Sequence, residues 1–92
     1  MKTSLIISTY NWPQALGLVL KSVLYQTVLV DEIIIADDGS SKSTKLIIDT
    51  YRKSISIPLI HVWHEDLGFR KTIIMNKAYS HAIGDYIIQI DG

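Results

Sequence analysis

The sequence predicts an α/β protein. It reads as a Rossmann-like βαβαβαβ three-layer sandwich with a parallel four-stranded sheet of order 3-2-1-4. Three observations carry this. Four short apolar runs recur along the chain. Between them lie three segments whose apolar residues return at steps of three and four. Each strand-like run ends in polar, turn-forming residues, and strands alternating with amphipathic helices imply a parallel sheet covered on both faces.

Leu5-Ile6-Ile7 is the first run, and it delivers the loop Ser8-Thr9-Tyr10-Asn11. Asn11 suits a helix start and Pro13 its first turn. Leu16, Val19, Leu20, Val23 and Leu24 then form one apolar face, and that helix is expected to end near Gln26-Thr27. Glu32 to Ala36 is a second buried strand, followed by the loop Asp37-Asp38-Gly39-Ser40-Ser41. A helix is expected from Lys45 to Lys53, with Leu46, Ile47, Thr50 and Tyr51 on one side. Leu59 to His64 reads as the third strand. Lys71 to Ala82, with Ile74, Ala78 and Ala82 in step, reads as the third helix. Gly84 ends it, and Asp85 to Ile90 is a fourth strand leading to Asp91.

The 92 residues, 48% of them apolar, suffice for one small core, so a single domain spanning 1–92 is expected. Nine basic and nine acidic residues balance, which argues against a broad electrostatic grip on nucleic acid. With no cysteine there is no disulfide framework and no thiolate metal site. No apolar run approaches the length of a membrane span, and the start lacks a signal-peptide pattern, so a cytoplasmic chain is expected.

In such sheets ligands bind beyond the carboxyl ends of the strands. The chemically loaded residues of this chain gather there: Ser8 to Asn11, Asp37 to Ser40, Glu65 to Lys71, and Asp91. His61 and His64 alone are too few for a metal site.

Four segments in order resemble the family 2 glycosyltransferases of GT-A fold. They are Ser4 to Asn11, Gln26-Thr27, Asp31 to Ser41, and Gly84 to Gly92, the last similar to the strand entering that family's D-x-D motif. Trp63 to Lys71 with Asn76-Lys77-Ala78 is similar to a bacterial subgroup that builds surface polysaccharides. The resemblance implies an N-terminal, donor-binding part of an inverting, metal-assisted transferase, with a nucleotide sugar as donor and a saccharide or lipid-linked acceptor. It places Ser8 and Tyr10 at the nucleoside. Tyr10 can stack on the base. Asp37, an acceptor when ionised, suits a ring N–H such as that of uracil, so a UDP-sugar is the default donor. Asp38 is expected either at the nucleotide or bonding backbone N–H groups of the following helix. Many family members carry an arginine before the asparagine of the third helix, where this chain has Met75 before Asn76, so Arg70 and Lys71 become the candidates for the diphosphate. Asp91 would be the first carboxylate for a hard cation, Mg²⁺ or Mn²⁺. The second carboxylate, the catalytic base and the acceptor pocket are expected beyond Gly92. No catalytic residue is therefore assigned within 1–92, and self-association through uncovered apolar surface is expected.

A receiver-like domain would carry its acid pair after the first strand. A nucleotidyltransferase would carry a glycine-rich phosphate loop there. Neither pattern is present, while a non-catalytic nucleotide-binding module remains the alternative.

Overall fold

The computed structural model describes residues 2–24, 30–64 and 71–91. In chain order the elements are β1 (Thr3–Thr9), α1 (Pro13–Leu24), β2 (Glu32–Asp37), α2 (Lys42–Arg52), β3 (Leu59–Trp63), α3 (Lys71–His81) and β4 (Tyr86–Asp91). All strand pairs are parallel and the order is β3-β2-β1-β4, as the alternation of elements predicts. The expected end of the first helix at Gln26-Thr27 lies outside the described residues.

Because a strand shows alternate residues to opposite faces, the apolar runs of the strands build two cores. On one face Leu5, Ile7, Ile33, Ile35 and Leu59 meet Leu16 and Leu20 of α1 and Ile48 of α2. On the other, Ile6, Ile34, Ala36 and Val62 meet Ile74, Met75 and Ala78 of α3. Each fully buried Ile or Leu side chain contributes about 1.5–3 kcal/mol of transfer free energy, so strands apolar on both faces are strongly committed to the sheet centre.

The second helix corrects the sequence reading. It starts at Lys42 rather than Lys45, and Leu46 is exposed while Thr44 and Ile48 are buried. Its sheet-facing stripe is Thr44, Ile47, Ile48 and Tyr51, spaced as one helical face requires. Arg52 at its end donates from Nε and Nη2 to the Leu59 carbonyl, at 3.2 and 2.9 Å, tying α2 to the start of β3.

A polar knot closes the amino-terminal edge. The buried Glu32 carboxylate accepts the Ser4 hydroxyl at 2.5 Å and the Ile83 N–H at 2.7 Å. Gly84 N–H donates to the same Ser4 oxygen at 2.9 Å. A Cβ on Gly84 would lie 2.5 Å from Ser4 Oγ and 2.6 Å from the Ser4 nitrogen, so the close approach requires glycine. The knot fixes where β4 enters, and hence its register on β1: Thr3 beside Tyr86 through Ser8 beside Asp91.

Tyr86, Ile87 and Ile88 of β4 are each more than two-fifths exposed. No helix among the described residues is long and apolar enough to cross a membrane.

Candidate functional site

At the carboxyl edge, β1 and β2 deliver two loops that are stitched together. Asn11 adopts the left-handed region, φ 43°, and Gly39 likewise, φ 85°. Asn11 N–H donates to Ser40 Oγ, and Ser41 N–H donates to Asn11 Oδ1, both at 2.7 Å. Asp38 N–H extends the ladder by donating to the Thr9 carbonyl at 3.1 Å. Trp63 Nε1–H donates to the Ser40 carbonyl at 3.1 Å, so the β2 loop is held from β3 as well.

The adjacent acids Asp37 and Asp38 are both buried, and each is matched with a histidine, His61 of β3 or His64 just after it. Asp37 Oδ2 accepts from His61 Nε2 at 2.7 Å, and its Oδ1 accepts the Ser40 N–H at 2.9 Å. Asp38 Oδ1 is bonded by His64 Nε2. An ionised carboxylate only accepts, so in each pair the imidazole nitrogen donates.

Strand alternation sends these pairs to opposite faces. Asp37 continues the series Ile33, Ile35 and His61 continues Leu59, toward α1 and α2. Asp38 continues Ile34, Ala36 and His64 continues Val62, toward α3. Ser8 continues Ile6 on this same α3 face.

The structure therefore joins Asp38 to His64 and sets Ser8 on the same face, with the Asp91 backbone in register beside Ser8. Tyr10 lies two residues beyond Ser8 at the edge and is about half exposed. Asp37 bonds its own loop, through the Ser40 N–H. Lys71 opens α3 at the edge to which β3 delivers the chain, while Arg70, Glu65 and Asp66 lie outside the described residues. The histidines were weighed in the sequence only as a metal pair. Their partnership with the acids rests on the register of β2 and β3, which sets His61 beside Ile35 and so on the face of Asp37.

A cleft of about 330 Å³ opens on the other side, lined by Ser40, Ser41, Lys42, Lys45, His61 and Trp63. Among the described residues no three His, Cys, Asp or Glu side chains converge as a metal-binding group. Asp91 is the last residue of β4, at the carboxyl edge of the sheet.

With this geometry in hand, the relatives are informative. The family model described as "Glycosyl transferase family 2" matches residues 4–92. The chain is 33% identical over 91 residues to a putative glycosyltransferase, EpsE, of Bacillus subtilis, covering 99% of this chain and 32% of that protein. It is 28% identical over 89 residues to chondroitin synthase of Escherichia coli, covering 96% of this chain and 13% of that protein. Among solved structures, S. aureus TarS superposes with a TM-score of 0.74 at 25% identity, over 99% of this chain and 16% of that one. The chain thus spans about a third, or less, of the length of these relatives. A four-stranded parallel sheet of order 3-2-1-4, a loaded carboxyl edge and a family match running almost end to end agree: the chain belongs to glycosyl transferase family 2, with the GT-A arrangement of its strands.

Proposed function

We propose that this chain binds the nucleotide end of a nucleoside diphosphate sugar, a UDP-sugar by default. The enzyme it serves would pass the sugar, with inversion, to a saccharide or lipid-linked acceptor in cell-surface polysaccharide synthesis. The observation that carries the reading is the gathering of Ser8 and Asp38 on the α3 face, with Asp91 in register beside Ser8. The names of EpsE and chondroitin synthase support the reaction class.

Within this site Asp38 is the acceptor for the base N–H, and Tyr10 covers the base. The sequence sets Asp37 at the base; its bonds to the Ser40 N–H and His61 on the α1 and α2 face favour instead a part in holding the loop that presents Asp38. Arg70 and Lys71 are the proposed partners of the diphosphate. Mg²⁺ or Mn²⁺, held in part by Asp91, would neutralise negative charge on the leaving nucleotide. No residue of the chain is assigned as catalytic base. The proposal places the protein in the cytoplasm, peripheral to the inner face of the membrane, and a cysteine-free sequence suits a reducing compartment.

The test is calorimetric titration of UDP and of pyrophosphate, with and without Mn²⁺. UDP should bind more tightly than pyrophosphate, and Mn²⁺ should strengthen both. Asp91→Ala should remove the Mn²⁺ increment and leave metal-free UDP binding nearly unchanged. Equal affinity for UDP and pyrophosphate would show that no nucleoside pocket exists.

A further inference from the structure

We propose that His64 is a positioning residue for base recognition: its Nε2–H fixes the Asp38 carboxylate in the orientation that selects uracil. The inference rests on the reading of Asp38 as the base acceptor. It adds the residue that follows β3 to a site that the sequence assigned to the ends of the other strands and the loop before α3.

Three observations carry it. First, His64 is buried, 6% exposed, and its Nε2 bonds Asp38 Oδ1. A buried carboxylate held by a buried ring has little freedom to swing, and orientation of an acceptor is what a directional bond to a base requires. Second, the His64 Nδ1 is buried without a hydrogen-bond partner. Such an orphan costs stability, so packing alone would be served better by an apolar ring of similar size. Third, the neighbouring pair divides the labour. His61 bonds Asp37 on the other face, where the carboxylate also bonds Ser40 N–H and secures the loop. Asp37 and His61 thus serve the loop, while His64 bonds the acid on the α3 face.

The chemistry defines a readout that a structural role would not move. Uracil presents a ring N–H at N3, and cytosine presents a lone pair at the same place. A carboxylate locked toward N3 favours UDP over CDP, whereas a carboxylate free to turn discriminates less. The ratio of CDP to UDP dissociation constants reports the locking, independently of overall stability.

The substitutions follow from geometry. In His64→Gln the amide nitrogen reaches about as far as Nε2, so the donor is retained. In His64→Asn it reaches only as far as Nδ1, so Asp38 loses its donor. His64→Phe keeps the ring and removes both nitrogens. The experiment is calorimetric titration of UDP and CDP into the full chain and these variants, with Asp38→Asn alongside and thermal melting to identify folded variants. His64→Gln should keep the ratio within about three-fold of the parent, while His64→Asn and His64→Phe should lower it about ten-fold, the scale of one charge-assisted bond. If Phe at this position prevents folding, the Gln and Asn pair carries the comparison. A ratio that falls in Asp38→Asn but is unchanged in His64→Asn overturns the role of His64. A ratio unchanged in Asp38→Asn overturns the base-acceptor reading itself, and the inference falls with it.

Discussion

Asn11 and Ser41, thirty residues apart, meet at 2.7 Å where the side-chain oxygen of one accepts the backbone N–H of the other. Asn11 reaches this position by adopting φ 43°. Asparagine tolerates that region better than most residues with a Cβ, and its carbonyl supplies the acceptor. The bond therefore joins a backbone choice to the alignment of the two loops that carry Tyr10 and Asp38.

Substitutions at Asn11 should separate these contributions. Asn11→Gly keeps the left-handed backbone and loses the acceptor, for a cost of about 0.5–1.5 kcal/mol. Asn11→Ala loses the acceptor and also strains the backbone, adding about 1–2 kcal/mol. Urea unfolding should therefore rank parent above Gly above Ala. If Ala is as stable as Gly at this position, φ is not constrained there.

The knot at the other edge predicts a larger effect. Glu32→Ala leaves the Ser4 hydroxyl and the Ile83 N–H without their carboxylate and opens a cavity, so it should cost about 2–4 kcal/mol. Glu32→Gln keeps a carbonyl acceptor and should cost about half as much or less. Equal losses in the two variants, measured by chemical denaturation, would show that the acceptor contributes nothing.

Gly84→Ala should be among the more damaging single methyl additions in the chain. The new carbon would fall against Ser4 backbone as well as its hydroxyl, and backbone cannot rotate away. A loss of about 1–3 kcal/mol is expected from the overpacking. Since β4 carries Asp91 into register beside Ser8, the Mn²⁺ increment in UDP binding should shrink as well. A variant as stable as the parent would contradict the described approach of Gly84 to Ser4.

Much of the fold was legible because buried parallel strands are written as unbroken apolar runs. Leu5 to Ile7 and Ile33 to Ala36 could be nothing else at that length between turn-forming loops. The second helix was misplaced because Lys42, Ser43 and Thr44 are polar, and a buried threonine carries no hydrophobic signal. Glu32 falls in the strand read as buried, but what satisfies its carboxylate was not legible: its partners, Ser4 and Ile83, are far off in sequence and one of them is a backbone N–H. The loops of the candidate site were visible as polar residues at strand ends. Which acid lies on the α3 face was not visible, because adjacent residues of a strand point to opposite faces and the choice needs the helices placed.

The apolar outer strand predicts association. Tyr86, Ile87 and Ile88 are exposed on β4, which pairs with β1 on one side. Edge strands of this kind template further pairing. Sedimentation of the chain should show dimers or larger species that grow with concentration, and Ile88→Lys should shift it toward monomer. A parent chain that stays monomeric at high concentration would remove this surface as an association site.

The division of the two faces at the carboxyl edge is tested most directly by amide chemical-shift mapping of UDP on the isotope-labelled chain. UDP should perturb Ser8, Tyr10, Asp38 and His64 on and around the α3 face, with the smallest changes at Lys42, Lys45 and Trp63 beside the opposite cleft. Perturbations confined to Lys42, Lys45, His61 and Trp63, with Ser8 and Asp38 unmoved, would place the nucleotide on the wrong side of the sheet and contradict the account.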